Sequence, residues 1–223
     1  QYPASVSRLL AELIVLSAML AANLKGKGIL TVQLKGDGPV RFMVVDADAK
    51  GEMRGYADVS PDYKPNARDT FRKLVGNGYL AITLDQGKEP YQGIVEFTGK
   101  SLTETLQHYF TNSEQTAVRV RVAVGSEKKG KKKQWSAGGI LLQHVPTLGG
   151  NRATHSDSVH FDGEPPEEQW NRVSIFTDTV RDEELLDPFL SPQQLLMRLF
   201  NEDGVWVYKA SELHVGCRCS RGK

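Results

Sequence analysis

The chain of 223 residues carries 28 lysine and arginine residues against 27 aspartate and glutamate residues. Its formal net charge of +1 excludes a strongly basic nucleic-acid binder and an acidic disordered tail, and two cysteines are too few for a disulfide-stabilised secreted mini-protein. A hydrophobic share of 39% is that of an ordinary folded chain with room for one large domain or one and a half.

The longest apolar run, residues 9–22, lies near the N-terminus and contains Glu12. It is shorter than the ~18 to 20 residues that cross a bilayer, and no small-x-small cleavage site follows it, so we interpret it as a buried helix. The chain begins at Gln1 and stops soon after a Cys-x-Cys pair, and we therefore interpret it as a fragment. Apolar residues at helical spacing are Val6, Leu9, Leu10, Leu13, Leu16, Met19, Leu20 and Leu24.

After this helix the apolar pattern alternates with a period of two, which predicts antiparallel strands joined by short turns. The segment after Ala117 alternates valines with Arg119 and Arg121, and residues 125–133 are predicted to connect it to its partner strand. Up to Pro146 the sequence thus predicts a compact mixed α+β domain. The predicted strands are residues 29–34, 40–45, 52–59, 79–84, 91–97, 117–124 and 137–145.

Helices are predicted where capping signals precede an apolar stripe. Ser101 and Glu104 form a Ser-x-x-Glu capping box for a helix through about Thr111, and Ser191 with Pro192 opens a helix through residue 201. Residues 147–166 are polar, rich in glycine and proline, and predicted to be a loop. Trp170, Val173, Phe176 and Val180 indicate one face of a further helix, and residues 205–208 are predicted to be a short strand.

A lysine-rich segment between the last two long strands nearly matches a phosphate-binding P-loop. Lys132 stands where a magnesium-binding hydroxyl is required, and a strand follows rather than a helix, so a solvated hairpin tip is favoured. Its lysines, with no nearby aromatic platform, are also weak support for nucleic-acid binding. The five lysines are Lys128, Lys129, Lys131, Lys132 and Lys133.

No catalytic centre is evident in the sequence. The hydrolase and zinc-protease motifs are missing, and the paired carboxylates Glu183/Glu184 and Glu167/Glu168 are predicted to lie on helices and to face solvent. Two histidines and two aspartates in the polar loop match no metal template, and the remaining histidines are isolated. These loop residues are His155, Asp157, His160 and Asp162, and the isolated histidines are His108, His144 and His214.

The sharpest chemical signal is the pair Cys217 and Cys219, one residue apart. Two thiolates can hold half of a tetrahedral zinc site or can oxidise, and Arg218 and Arg221 favour the thiolate form. Two unreactive cytosolic thiols are an equally good interpretation of the pair alone. A thiol–disulfide oxidoreductase using Cys217 and Cys219 is the alternative function, although the Cys-x-x-Cys and βαβ order of thioredoxin-like enzymes are missing.

Taken in order, short motifs along the whole chain resemble the redox-regulated heat-shock holdase family, the 33 kDa chaperonins of bacteria. Each motif is weak alone, and the combination is specific because the order is kept from end to end. The matching residues are Tyr2-Pro3, 31–39 (TVQLKGDGP), 53–55 (MRG), 74–79 (LVGNGY), 91–93 (YQG), Tyr109-Phe110, 113–115 (SEQ), 137–139 (AGG), 183–186 (EELL) and 217–221 (CRCSR).

The resemblance implies an α+β fold with a core of two stacked, mostly antiparallel β-sheets and flanking helices, then a helical linker and a zinc module. It places the chaperone core at residues 1–147, the loop and helical linker at 148–210, and the start of the module at 211–223. Cys217 and Cys219 would supply two of four zinc ligands. The later Cys-x-x-Cys of the family is missing from this chain, so we expect zinc to be absent and the redox gate lost.

The resemblance also implies function. Family members hold unfolding or oxidatively damaged proteins without ATP, are not enzymes, and become active when the zinc-bound cysteines oxidise to disulfides. For this chain we expect client proteins as partners, no nucleic acid and no membrane, a cytoplasmic location, and a homodimer with exchanged linker helices. The client-holding surface is expected to include Trp170, Phe176, Leu185, Leu186, Phe189, Leu195, Leu196, Leu199, Phe200 and Trp206, kept soluble by Asp182, Glu183, Glu184 and Arg198.

Overall fold

The computed structural model describes residues 2–22, 24, 26, 28–66, 68–87, 89–130, 132–145 and 165–216. Within them the fold is mixed α+β, with six helices and two sheets. The elements are α1 (Ala4–Ala21), β1 (Ile29–Gly36), β2 (Val40–Asp48), β3 (Glu52–Val59), α2 (Phe71–Val75), β4 (Gly78–Asp85), β5 (Tyr91–Glu96), α3 (Leu102–Asn112), β6 (Val118–Lys129), β7 (Lys132–Gln143), α4 (Pro166–Asp178), α5 (Asp182–Leu186), α6 (Pro192–Phe200) and β8 (His214–Val215).

The larger sheet has six strands in the order β5-β4-β1-β2-β3-β8, and all pairs but β3-β8 are antiparallel. Alternation directs Leu30, Val32 and Leu34 of β1 into the core, as the period of two predicts. The predicted strands β1 to β5 are confirmed, with ends that shift by a few residues at most.

Helix α1 connects the two sheets. It packs against β1, β2 and β3 of the six-stranded sheet and against both strands of the β6-β7 hairpin. A Cβ added to Gly55 of β3 would lie 3.1 Å from Leu10, and one added to Gly139 of β7 would lie 2.7 Å from Val15, so strands approach α1 from two sides. The two sheets are therefore joined through a helix, which refines the prediction of sheets stacked on each other.

By length and composition α1 could cross a membrane, since it has 18 apolar-rich residues. The apolar run of residues 9–22 underestimated the length of this helix, because the helix already begins at Ala4. Its Val6, Leu9, Leu13 and Leu16 are at most 3% exposed and belong to the core of the protein. This burial is typical of a core helix and confirms the predicted buried face.

Several elements differ from the sequence predictions. The predicted connection at residues 125–133 is wrong, because β6 runs on to Lys129 and pairs with β7 from Lys132. Residues 205–208 form no strand, and the short strand near the C-terminus is instead β8. The Ser101 side chain caps α3 at the Glu104 N–H as predicted, while the Glu104 carboxylate accepts from the Lys100 N–H at 2.7 Å.

The predicted loop over residues 147–166 lies almost wholly outside the described residues, with only its last two described and Pro166 already in α4. The proposed domain boundary near residue 147 lies in the same undescribed stretch and stays a prediction. His155, His160, Asp157 and Asp162 also lie outside the described residues.

Glu12 of α1 is partly buried, and burial is the main cause that raises its pKa to about 7, against the smaller lowering by Arg8. A carboxyl group that binds its proton more tightly in the folded state stabilises the fold less as pH rises from about 4.5 to 7. We expect Glu12→Gln to raise the free energy of unfolding at pH 8 by about 2 kcal/mol and to have little effect at pH 4. Urea unfolding at both pH values measures this, with Glu183→Gln at an exposed position as the control. An equal effect at both pH values would contradict the assignment.

Candidate functional site

The predicted redox site cannot be placed, because Cys217 and Cys219 lie outside the described residues, which end at Gly216. Among the residues that are described, no group of three or more histidine, cysteine, aspartate or glutamate side chains could hold a metal ion. Two thiolates fit zinc as half of a tetrahedral donor set. The structure instead defines the surface on which the C-terminal helices pack.

The hairpin β6-β7 carries helices on both faces. Val118 and Val120 of β6 belong to the core around α1, whereas the alternate residues Arg119 and Arg121 contact the segment of α4 and α5. The alternation of valine and arginine in the sequence thus separates two packing faces. We name the second the docking face, formed by Arg119, Arg121, Ala123, Gly125, Gly138 and Ile140, and we name α4, α5 and α6 the linker helices.

Two arginines of the docking face bind the linker helices. Arg119 makes a two-pronged ion pair with Asp178 at the end of α4, with Nε 2.6 Å from Oδ1. This hydrogen bonding holds the pKa of Arg119 above its usual value. Arg121 donates to the Val180 carbonyl at 2.9 Å and reaches Asp182 Oδ1 at 3.4 Å. Both arginine side chains are more than one third exposed, so these pairs orient the helices more than they stabilise them.

Two glycines let helix α5 approach the strand backbone. A Cβ on Gly138 would lie 2.1 Å from the carbonyl oxygen of Leu185, and one on Gly125 would lie 2.9 Å from Leu186 Cδ1. Ala123, paired with Gly138 across the hairpin, is 2% exposed. Because the contact with Leu185 is with backbone rather than a flexible side chain, a larger residue at position 138 forces α5 to move.

The linker helices also bind one another. Ser191 and Gln194 form a reciprocal capping box at the start of α6, as the sequence predicts. Glu184 accepts from the Arg181 N–H at 3.0 Å and pairs with Arg198 of α6 at 3.0 Å, and chiefly the backbone hydrogen bond lowers its pKa. Glu184 is thus half-buried in an ion pair rather than facing solvent, while Glu167, Glu168 and Glu183 are exposed as predicted. Two further links of α4 are the ring contact Phe176–Phe200 with α6 and the ion pair Arg172–Asp203 with the turn after α6.

Most of the predicted client-holding residues are covered in this docked arrangement. Leu195 and Phe200 are buried, together with Val180, which is 1% exposed. Phe189 and Trp206 are exceptions, at 92% and 68% exposed. The partly buried members are Trp170, Phe176, Leu185, Leu186, Leu196 and Leu199. Docking therefore hides apolar surface that undocking would release.

The lysine-rich tip of the hairpin confirms the prediction of a hairpin and corrects one detail. Lys133 Nζ lies 4.9 Å from the centroid of the Trp135 ring, so an aromatic side chain does stand beside this lysine. The sequence analysis missed this because it assigned position 133 to a connecting loop.

The amino-acid sequence matches known proteins along its whole length. A family model described as "Hsp33 protein" matches residues 1–223. A 33 kDa chaperonin of Caulobacter vibrioides is 39% identical, over 100% of this chain and 72% of its own length. One of Salmonella typhi is also 39% identical, over 99% of this chain and 68% of its own length. The chain belongs to the Hsp33 family.

The family's architecture is also present in the fold. The crystal structure of the Thermotoga maritima 33 kDa chaperonin superimposes with a TM-score of 0.72 at 21% sequence identity, over 96% of this chain and 68% of that chain. The family resemblance inferred from short motifs in the sequence is confirmed. Membership identifies this Hsp33 protein as a chaperone of that family, and the docking face shows which of its residues hold the linker helices.

Proposed function

We propose that this Hsp33 chain is an ATP-independent holdase that binds unfolding and oxidatively damaged proteins, and that the linker helices mask its client-binding surface at rest. The single observation that carries the proposal is the docked arrangement itself, in which α5 approaches the backbone of Gly138 and the linker helices cover most of their apolar residues, with Leu195 and Phe200 buried. The exposed ion pairs of Arg119 and Arg121 with the linker helices are weak in water, which suits a docking contact that must open. The protein acts by binding and is not an enzyme.

Cys217 and Cys219 are the proposed redox trigger, as two of the four zinc ligands of the intact protein. Bound zinc supplies folding energy to a small module, on the order of 10 kcal/mol. When the thiolates oxidise to disulfides, each pair passes two electrons to a peroxide, which is reduced to water. Without its thiolate ligands the module loses that folding energy, and the linker helices lose a neighbour that stabilises their docked position.

The protein is proposed to work in the cytoplasm as a homodimer in which linker helices are exchanged between subunits. The docking contacts that an exchange would have to reproduce are those of Arg119, Arg121 and Gly138 with α4 and α5. Light scattering after size-exclusion chromatography measures the mass in solution, and a strictly monomeric protein would contradict this part of the proposal.

Light scattering of a heat-unfolding client, without ATP, tests the activity on the full-length natural protein. The protein is compared after reduction with zinc and after warm peroxide treatment. We expect aggregation to be suppressed only after oxidation. In the double variant Cys217→Ser/Cys219→Ser, the suppression should no longer depend on oxidation. No suppression in either state would contradict the holdase function and would favour the oxidoreductase alternative, which a disulfide-reduction assay then tests.

A further inference from the structure

The outer edge of β3 is occupied by β8 over only two residues. His214 N–H donates to the Gly51 carbonyl at 2.8 Å, and Gly216 N–H donates to the Met53 carbonyl at 3.0 Å. The pairing is parallel, with Glu52 opposite His214. A strand of two residues held at a sheet edge is marginally stable by itself and is readily displaced.

This pairing depends almost wholly on the backbone. The side chain of Val215 is 99% exposed, and that of His214 is 56% exposed with a distant ion pair to Glu212. Since these side chains bury little surface, the edge selects β8 for its extended backbone rather than for its sequence. An edge of this kind accepts any extended segment that offers backbone donors and acceptors.

The acceptor edge continues beyond β8. Backbone groups alternate in direction along a strand, so Gly55 and Ala57 point the same way as Met53. The Ala57 N–H donates in this direction, to the Tyr2 hydroxyl at 3.0 Å. Among the described residues, the Tyr2 hydroxyl is the only group that hydrogen-bonds to this edge beyond Met53.

An exposed aromatic side chain and a shallow groove of mixed polarity lie beside the edge. Tyr56 of β3 is 53% exposed on the face of the sheet that is turned away from α1. Its cross-strand neighbour Val44 and the nearby Phe42 line the same shallow groove. An added strand would place every second side chain on the same face of the sheet as Tyr56, where an apolar side chain can pack against the tyrosine ring.

We propose that the outer edge of β3 is a client-binding element that accepts an extended segment of an unfolding protein as an added strand, and that β8 is its built-in occupant. The inference rests on the proposed holdase function and names how one part of a client is held. Backbone pairing is independent of sequence, as a chaperone of many clients requires. Cys217 follows Gly216 directly in the sequence, so the occupant is contiguous with the proposed redox trigger.

The test uses His214→Pro in the full chain, which removes the hydrogen bond to Gly51 and leaves the core residues unchanged. His214→Ala, which keeps the backbone N–H, is the matched control, and Gly216→Pro is the second variant. The probe is a reduced and carboxymethylated polypeptide that cannot refold. Hydrogen exchange at the amides of residues 53–57, and light scattering of a heat-unfolding client, are measured with each protein.

We expect the probe to slow exchange at the outward-facing amides of Met53 and Gly55 by at least tenfold in His214→Pro and Gly216→Pro, and much less in His214→Ala, while the amides of Arg54 and Tyr56, which face β2, stay unchanged. Client aggregation suppressed without added protection at the Met53 and Gly55 amides would overturn the strand acceptor and leave the holdase function standing. Failure to suppress aggregation in every protein and redox state would instead contradict the holdase function itself. Protection that rises with protein concentration, without the probe, would overturn the proposal in favour of pairing between two copies.

Discussion

Gly138→Val is expected to make the reduced protein hold clients without oxidation. The new side chain has no room, because a Cβ at this position lies 2.1 Å from the Leu185 carbonyl oxygen, so α5 must leave the docking face. Valine suits a strand, and the added methyl groups point away from α1, so we expect the core to remain folded. In a light-scattering assay, the reduced full-length variant should halve client aggregation at a concentration at which reduced full-length wild-type protein gives no suppression.

Ala137→Val is the matched control for this variant, since it adds similar volume to the neighbouring, exposed position of β7. Circular dichroism establishes that both variants are folded. The masking account would be contradicted by a folded Gly138→Val protein that needs oxidation as much as the wild type does.

Leu13→Ala is expected to reduce the free energy of unfolding by about 3 kcal/mol, because it opens a cavity at a fully buried position of α1. Helix α1 packs against both sheets, as α3 also does, so both sheets should lose stability together rather than separately. Urea unfolding followed by circular dichroism and by tryptophan fluorescence measures this. The exposed Leu213→Ala is the control and should change the stability by less than about 0.5 kcal/mol. A loss below about 1 kcal/mol, or two separate transitions, would show that α1 does not couple the sheets.

The strands of the larger sheet were predictable because each follows a period of two between strong turn signals. The turn from Gly36 to Pro39 is one example, since its two glycines and its proline mark it locally. In the structure this turn also packs against the end of α2, where Gly38 N–H donates to the Val75 carbonyl at 3.0 Å. Helix α6 was predictable for a similar local reason, since Ser191 and Pro192 both mark its start.

Elements that depend on distant partners were not predictable. Helix α5 was indicated only by the helical placing of Glu183 and Glu184, because its five residues are too few for a periodic pattern. It is held by Arg121 and Gly138. The hairpin β6-β7 continues through a stretch that looks like a loop, because pairing across the hairpin outweighs the low strand propensity of glycine and lysine. Strand β8 exists only through its pairing with β3.

The docking face was only half visible in the sequence. Arg119 and Arg121 stood out by alternation, but Asp178 lies 59 residues beyond Arg119, and no local rule joins them. Gly125 and Gly138 carried the one available signal, since glycine inside a strand often marks the close approach of another backbone. The function came from the order of short motifs along the chain, which composition and periodicity do not contain.

Hydrogen exchange of the full-length protein across activation tests the central claim most directly. The account predicts that amides of α4 to α6 and of the docking face are protected in the reduced state, exchange at least tenfold faster after oxidation, and regain protection when a client is bound. Client held by an oxidised protein whose linker helices keep their full protection would contradict the account.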